Sequence, residues 1–217
     1  MNVQLAPRAV SAIDDWQRSA AEVATAAREL AARGWSPATA GNFSMRVGES
    51  FATITVSGRD KGKLGARDFV LVDLEGTVVD GEGIPSAEAA LHVQLYRHDP
   101  DVGAVLHTHS PNQTIAGRLL AHDGSIQLSG YELLKAFAGI RTHATSVELP
   151  VFMNTQDMDG LRQQVERRLQ RGGRLYGYLI DGHGIYVWGR SIAVALRHLE
   201  AFDFLLGCEI ELRRGKA

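Results

Sequence analysis

Two histidines flank a threonine where an apolar run of the sequence ends, and their spacing could support metal chemistry. Residues 102–109 have the length and composition of a buried β-strand, and Ser110 and Pro111 close the run. Because residues i and i+2 of a strand project from the same face, His107 and His109 point in one direction, where their imidazoles can converge on one ion. In a chain with eight histidines, a single His-x-His pair is by itself usually a chance occurrence.

A third histidine strengthens the metal interpretation. His183 lies between two glycines, in a tight turn that joins two apolar, strand-like runs within residues 178–187. Glycine tolerates unusual backbone angles and lets a ligand come close. Three neutral imidazoles with one open position are typical of catalytic zinc sites, whereas structural zinc sites are closed and rich in cysteine. Cys208 is the one cysteine here, which favours a catalytic site, although manganese, iron or cobalt could occupy similar ligands.

Length, composition and charge exclude several functional classes. We predict a single domain over residues 1–217, a length that suits one domain of generous size. The net charge of −2 and the lack of a basic run argue against a nucleic-acid partner. No apolar stretch approaches the roughly 20 residues that span a bilayer, so we expect no membrane partner. The absence of an apolar signal core in residues 1–15 and the single cysteine favour a cytoplasmic enzyme.

The elements that must position the histidines follow no regular strand–helix repeat. Apolar spacing predicts helices at residues 14–33, 86–98, 111–120, 157–170 and 192–212, with a short helix at 131–137. Strands are predicted at residues 44–47, 52–56, 69–73, 77–79, 102–109 and on both sides of His183. Ser86 is expected to cap its helix. This order favours an α+β fold of three layers (α/β/α), with a central, mostly antiparallel sheet covered by helices, over a doubly wound fold.

Two glycine-containing loops offer main-chain amides and hydroxyls that could hold a phosphate. They span residues 39–44 and 56–62, and the start of the predicted helix at residue 86 offers a further donor. The candidate phosphate ligands are Gly41, Asn42, Ser57, Gly58, Lys61 and Ser86. Neither loop carries a Walker or dinucleotide motif, and a loop of this kind, taken alone, is more often an ordinary turn. Together, beside a metal site, they indicate a small phosphorylated substrate.

Proton chemistry beside a metal-bound carbonyl needs a positioned acid or base. Glu88 and Glu132 are candidates for this role. Glu132 lies among Tyr131, Leu133 and Leu134, and burial there would raise its pKa toward the value that suits a proton donor. The residue pattern alone does not distinguish these two carboxylates from the other Asp and Glu residues. A carboxylate at either position is more often a solvated or capping group.

The motifs described so far occur together, and in this order, in a known superfamily. The chain resembles the class II aldolase/adducin superfamily along nearly its full length, through Gly34-Trp35, Thr39-Ala-Gly-Asn-Phe-Ser44, Ser57-Gly58, Pro85-Ser-Ala-Glu88, His107-Thr-His109 and His183-Gly184. A dehydratase branch of that superfamily is most similar in the segments Ser57-Gly-Arg-Asp-Lys-Gly62, Gly130-Tyr-Glu-Leu-Leu-Lys135 and His183-Gly-Ile-Tyr-Val-Trp-Gly189.

The resemblance implies a site for one Zn²⁺ per subunit on His107, His109 and His183, in a homotetramer with active sites near the subunit interfaces. It also implies that Gly41, Asn42, Ser57, Gly58 and Ser86 contact the substrate phosphate. Lys61 is a weaker candidate for this contact. In the dehydratase branch the catalytic acid/base matches Glu132, whereas in the aldolases the carboxylate that matches Glu88 works at the metal. The remaining histidines are interpreted as non-ligands: His92, His98, His122, His143 and His198.

The activity implied by the resemblance is the removal of water from 5-methylthioribulose 1-phosphate, which gives 5-methylthio-2,3-diketopentyl 1-phosphate in methionine salvage. Ala87 stands where the aldolase motif has a second serine, so the chain loses one phosphate hydroxyl of the aldolase pattern. Two alternatives stay open: a sugar-phosphate aldolase or 4-epimerase, and a non-catalytic, adducin-like assembly module.

Overall fold

The computed structural model describes residues 7–215, with side chains from residue 16 onward, and in that range it contains five α-helices and nine β-strands. The helices are α1 (Pro7–Ala32), α2 (Ala89–His98), α3 (Pro111–Leu120), α4 (Met158–Gln170) and α5 (Ile192–Arg214). The strands are β1 (Asn42–Val47), β2 (Phe51–Thr55), β3 (Phe69–Asp73), β4 (Val78–Gly81), β5 (Ala104–Thr108), β6 (Ser125–Ser129), β7 (Ser146–Phe152), β8 (Gly177–Ile180) and β9 (Gly184–Gly189).

The described strands form one sheet in the order β4-β3-β2-β1-β5-β9-β8-β7-β6. Every neighbouring pair is antiparallel except β7 and β8, which are parallel. The prediction of a mostly antiparallel sheet is therefore confirmed. The strand that carries the first histidine, β5, lies between β1 and β9, so His107 is paired with Asn42 on one side and with Tyr186 on the other.

Helices cover both faces of the sheet and complete the three predicted layers. Apolar side chains of α1, α3 and α5 form one core against the sheet, and those of α2 and α4 form a second core on the opposite face. Successive strand residues alternate between these cores: Leu106 enters the first and Val105 the second. Full burial of such a side chain contributes about 1.5–3 kcal/mol. Among the described helices, none combines the length and the apolar character that crossing a bilayer requires.

The structure corrects several predicted boundaries. The first helix begins at Pro7 rather than at residue 14, and β1 begins at Asn42, two residues before the prediction. The short helix predicted at residues 131–137 is a 3-10 turn, Glu132–Ala136. Strands β6 and β7 were not predicted. Pro150 lies inside β7, and proline is normally confined to sheet edges or bulges, which obscured this strand in the sequence.

The start of α2 also differs from the prediction. The helix begins at Ala89, and Glu88 occupies the N-cap position, so the expectation that Ser86 caps the helix is wrong. The Ser86 hydroxyl instead accepts a hydrogen bond from the main-chain N–H of Glu88, at 3.3 Å. The three residues before Ala89 therefore form a turn whose last side chain, that of Glu88, is free to reach toward β5.

Candidate metal centre

His107 is fixed by two neighbours on β9. Its side chain is completely buried, and its Nδ1 donates a hydrogen bond to the carbonyl oxygen of Ile185 at 2.9 Å. The ring of Tyr186 stacks on the imidazole with 4.0 Å between centroids and 14° between planes. Because a carbonyl oxygen only accepts, the proton is on Nδ1 and the lone pair of Nε2 is available to a metal ion.

The other two imidazoles meet His107 at the end of the sheet. The Nε2 atom of His109 lies 2.8 Å from that of His107, which agrees with the prediction that the two side chains point in one direction. His183 lies in the turn between β8 and β9, and its ring centroid is 5.0 Å from that of His107 and 4.6 Å from that of His109. One nitrogen from each ring falls within 4.8 Å of the other two.

Close packing of the main chain makes this convergence possible. A Cβ atom on Gly184, the residue after His183, would lie 2.2 Å from the carbonyl oxygen of Thr108. Only glycine lets β9 approach β5 so closely at the point where the imidazoles meet. The Thr114 hydroxyl of α3 donates to the carbonyl oxygen of His183 at 3.0 Å, which fixes the turn from the other side.

The protonation of the site fits a metal. Burial lowers the pKa of His107 well below its usual value, and the neighbouring His109 and His183 lower it further. Burial, followed by the charge of His183, lowers the pKa of His109 to about 4. At neutral pH these rings are neutral, which is the form that coordinates a divalent cation. Three imidazole nitrogen donors suit zinc and, with less selectivity, other first-row divalent metals.

Glu88 brings a carboxylate to the same place. Its Oε1 lies 3.3 Å from Nε2 of His183 and 3.7 Å from Nε2 of His107. Its side chain retains one-fifth exposure, so the group faces both the imidazoles and the space above them. A carboxylate in this position could take part in metal binding or transfer a proton to a molecule bound there.

The loops that carry the predicted phosphate residues are tied together, and Asn42, in the first of them, is paired with His107 of β5. Lys61 is buried, and its Nζ donates to the carbonyl oxygens of Thr39 and Arg59 at 2.8 and 2.7 Å, which ties the two glycine-containing loops together. The Ser57 N–H donates to the carbonyl oxygen of Ile84 at 3.0 Å. These contacts bring the loops that carry Gly41, Asn42, Ser57 and Gly58 next to each other and next to the segment that carries Ser86.

Glu132 lies elsewhere. Its side chain is 71% exposed, it hydrogen-bonds Lys135, and its Oε2 is 3.5 Å from Nδ1 of His143. The Lys135 hydrogen bond is the main cause that lowers its pKa, so the expectation of a raised pKa is wrong for this chain: the neighbour that is buried is Leu134. No hydrogen bond or ion pair among the described residues links Glu132 to the three imidazoles.

One part of the site was missed from the sequence. His92, interpreted as a non-ligand, is completely buried and hydrogen-bonds Asn42, whose side chain in turn donates to Glu88. The signal that could have revealed it is the spacing of four between Glu88 and His92, which places both on one face of a helix.

The chain is similar in sequence to a family of known proteins. Residues 21–210 match the family described as Class II Aldolase and Adducin N-terminal domain. Methylthioribulose-1-phosphate dehydratase from Stenotrophomonas maltophilia (strain K279a) is 59% identical over 187 residues, which cover 86% of this chain and 87% of that protein.

Two solved structures share the fold. YgbL from Klebsiella pneumoniae has a TM-score of 0.77 and 24% identity, with 90% of each chain covered. The l-fuculose-1-phosphate aldolase from Thermus thermophilus has a TM-score of 0.73 and 21% identity, covering 92% of this chain and 98% of the aldolase. At these identities the likeness supports a common fold. The activity has to be inferred from the residues of the site.

Proposed function

The chain belongs to the class II aldolase and adducin N-terminal domain family, and on that premise we propose that it is a cytoplasmic, single-domain, zinc-dependent dehydratase of methionine salvage. It removes water from 5-methylthioribulose 1-phosphate and yields 5-methylthio-2,3-diketopentyl 1-phosphate. The observation that carries the proposal is the convergence of three imidazoles with the Glu88 carboxylate. The relative with 59% identity supports the choice of substrate by its name.

His107, His109 and His183 would hold the ion, and zinc is the metal that this donor set favours. A bound divalent ion supplies Lewis-acid stabilisation of the negative charge that develops on the ketose oxygens when a neighbouring carbon loses a proton. The chain's own contribution is to present three nitrogen lone pairs at the sheet end. Burial keeps the rings of His107 and His109 neutral and so ready to bind.

The substrate phosphate is proposed to bind at the loops that Lys61 holds together. Lys61 is a buried cation whose two described hydrogen bonds go to carbonyl oxygens, and burial lowers its pKa. A phosphate beside it would supply the opposite charge that a buried ammonium lacks. Gly41, Asn42, Ser57, Gly58 and Ser86 would add main-chain amides and hydroxyls.

Two carboxylates are assigned the proton transfers. Glu88 accepts the proton from C3, since its Oε1 faces the imidazoles where the C2 carbonyl would be held. Glu132 gives a proton to the C4 hydroxyl, which leaves as water with the C–O bonding electrons. The C3 enol that results then releases its hydroxyl proton and gains a proton at C4, which turns C3 into the second ketone, so that one water is lost overall. The hydrogen bond from Lys135 lowers the pKa of Glu132 within its own chain, so its role as proton donor requires that the contact is replaced in the assembled enzyme.

Glu132 would have to act from a neighbouring subunit, because among the described residues its side chain contacts Lys135 and His143 and makes no hydrogen bond or ion pair with the imidazoles of its own chain. It lines a groove of about 1470 Å³, together with Trp35, Tyr131 and the 60% exposed ring of Phe204. A groove with exposed aromatic surface suits a contact between subunits. We therefore include a homotetramer in the proposal.

The decisive experiment combines elemental analysis of the purified protein with an assay on 5-methylthioribulose 1-phosphate. We expect close to one zinc per subunit, and a diketone product formed without cleavage of the carbon chain. EDTA should abolish turnover, and added Zn²⁺ should restore it. A protein that contains the metal but leaves this substrate unchanged would contradict the proposal.

A sugar-phosphate aldolase or 4-epimerase is the second candidate, because Glu88 lies at the imidazoles where the aldolases of the superfamily use a carboxylate. Fuculose 1-phosphate and ribulose phosphates should be assayed in parallel with the proposed substrate. Carbon–carbon cleavage, or inversion at C4 without loss of water, would favour this candidate. A non-catalytic assembly module is disfavoured by the retained metal ligands, and it would be supported by a metal-free protein that assembles normally and lacks all these activities.

A further inference from the structure

Glu88 is the end of a chain of hydrogen bonds that runs through the protein interior. Its Oε2 lies 2.7 Å from Nδ2 of Asn42, and Oδ1 of Asn42 lies 2.5 Å from Nε2 of His92. On the far side of the ring, Nδ1 of His92 is 2.7 Å from the hydroxyl of Ser44, which is 2.7 Å from the hydroxyl of Tyr96. The four residues beyond Glu88 are at most 3% exposed.

The direction of every hydrogen bond follows from Glu88. An ionised carboxylate only accepts, so the amide nitrogen of Asn42 faces it and the amide oxygen faces His92. That oxygen also only accepts, so the His92 proton is on Nε2. The bare Nδ1 then accepts from the Ser44 hydroxyl, and the Ser44 oxygen accepts from Tyr96. Each donor in the chain therefore points toward the carboxylate.

Two features keep this order in place. Burial lowers the pKa of His92 to about 3, so the ring stays neutral and keeps one acceptor nitrogen at physiological pH. The edge of the His92 ring also meets Tyr186, with 5.6 Å between centroids, and Tyr186 itself stacks on His107. The ring is thus held by packing as well as by its two hydrogen bonds.

We propose that His92 is a positioning residue which, through Asn42, fixes the Glu88 carboxylate with Oε2 turned to the interior and Oε1 turned to the three imidazoles. Without it, Asn42 could rotate its amide, and Glu88 would lose the donor that fixes its rotamer. The expected effect on turnover rests on the proposed function. The expected effect on the position of Glu88 Oε1 beside the imidazoles does not. Loss of a partner in the outer shell of a metal site typically costs about 10–100-fold in metal affinity or activity.

The test compares two substitutions of His92 with a matched control. His92→Leu removes both hydrogen bonds, and His92→Gln provides an amide that can donate to Asn42 and accept from Ser44. The control is His198→Leu. His198 is also buried, donates to the carbonyl of Trp188 at 2.8 Å and accepts from the N–H of Ala138 at 3.1 Å. His198→Leu therefore also removes a buried, hydrogen-bonded imidazole, but at a position that is not linked to Glu88 by the hydrogen bonds described above.

The first readout is Co²⁺ alone, added to the metal-free protein and followed by its visible absorption, which reports affinity and ligand geometry without substrate. The second is kcat and KM for 5-methylthioribulose 1-phosphate. We expect His92→Leu to lower Co²⁺ affinity or kcat by about 10–100-fold and to alter the Co²⁺ spectrum. KM should change little, and His92→Gln should recover most of the loss. His198→Leu should lower the melting temperature while its Co²⁺ spectrum stays that of the wild type.

Equal effects of His92→Leu and His198→Leu on the spectrum, affinity and kcat would overturn the inference. If His92→Leu does not fold, His92→Phe takes its place, because a phenyl ring keeps most of the packing and loses both hydrogen bonds; an unchanged Co²⁺ spectrum and kcat in that variant would also overturn it. A wild-type protein that binds Co²⁺ but does not dehydrate the substrate would refute the proposed function alone. The Co²⁺ comparison would still decide the role of His92.

Discussion

Glu88 Oε1 lies 3.3 Å from Nε2 of His183, so a carboxylate placed just before α2 meets an imidazole from the turn that joins β8 and β9. The other oxygen of the same carboxylate accepts a hydrogen bond from Asn42 at 2.7 Å. One side chain therefore faces the candidate metal position with one oxygen and the protein interior with the other. The two carboxylates expected from the sequence therefore differ in their contacts within one chain. Glu88 contacts the imidazoles of the candidate metal centre, and Glu132 does not.

The first prediction concerns Glu88. Glu88→Gln should lower kcat by about 10²–10⁴-fold, the range typical of a lost general acid or base, because an amide cannot accept the substrate proton. The three imidazoles remain, so elemental analysis should still detect metal. Glu75→Gln, in the exposed turn after β3, is the matched control and should keep wild-type kinetics. A Glu88→Gln enzyme with normal kcat would contradict the assigned role.

The second prediction concerns the subunit from which Glu132 acts. Glu132→Gln and His109→Ala should each be inactive in a homogeneous oligomer, the first with its metal bound and the second with metal affinity strongly reduced. If Glu132 serves the metal centre of a neighbouring subunit, mixing and reassembling the two variants in equal amounts creates sites with both groups intact. Random assembly in a symmetric oligomer should then restore about a quarter of wild-type activity. Mixtures that stay inactive, although the subunits have exchanged, would argue against action across the interface.

The third prediction separates Lys61 from its neighbour Lys63. Lys61→Met should raise KM for the phosphorylated substrate by about tenfold or more, since a charge-assisted hydrogen bond contributes roughly 1.5–3 kcal/mol. Its melting temperature should stay level or rise, because the variant no longer buries a cation that makes no ion pair within 4 Å with a carboxylate of the described residues. The control Lys63→Met alters an 84% exposed side chain and should change neither quantity. The assignment would fail if both variants had the same KM.

Much of the metal centre could be predicted because the three histidines are marked by short patterns of neighbouring residues in the sequence. The period of two along the strand predicted at residues 102–109 places His107 and His109 on one face, and Gly184 indicates the close approach of β9. Glu88 could not be chosen from its sequence context, since its role depends on tertiary contacts with His183 and Asn42. Neither contact leaves a pattern in a single sequence.

The fold was predicted where apolar periodicity is strong and missed where other residues interrupt it. Strand β3 has the predicted bounds, Phe69–Asp73, because its apolar run is continuous. Strand β7 contains Pro150, which suggests an irregular segment, and β6 carries just two buried apolar residues, Ile126 and Leu128. The burial expected for Glu132 failed because a 3-10 turn directs Leu134 inward and leaves the carboxylate in solvent.

The fourth prediction concerns the close approach at Gly41. This residue has φ +83°, and a Cβ there would lie 2.7 Å from the carbonyl oxygen of His107. Gly41→Ala should therefore destabilise the protein by about 2–5 kcal/mol, the sum of left-handed backbone strain and forced separation of β1 from β5. The control Gly34→Ala has φ +76° and no atom within 4 Å of the new methyl group, so strain alone should cost about 1–2 kcal/mol. Chemical denaturation measures both, and equal losses would contradict the predicted clash.

The fifth prediction is a pH dependence of stability that originates in His92. Burial lowers its pKa in the folded protein to about 3, from 6.5 in an unfolded chain. Between these values the unfolded state binds one more proton than the folded state, so the free energy of unfolding falls as the pH is lowered from 6.5 toward 3. Above pH 6.5 the His92 ring is neutral in both states and the free energy of unfolding does not depend on its titration. Well inside the range from pH 6.5 to about 3, the free energy of unfolding falls by about 1.4 kcal/mol per pH unit.

His92→Gln removes this titration while it retains the hydrogen-bonding capacity of the side chain. The variant is expected to show a pH slope that is smaller by about 1.4 kcal/mol per unit between pH 5.5 and 4, measured by urea denaturation of the metal-free protein. The buried imidazoles of His107 and His109 titrate in both proteins, so their contribution cancels in the difference. Parallel curves for wild type and variant would mean that His92 gains a proton in the folded state at ordinary pH, and that its tautomer is not fixed as the hydrogen bonds to Asn42 and Ser44 require.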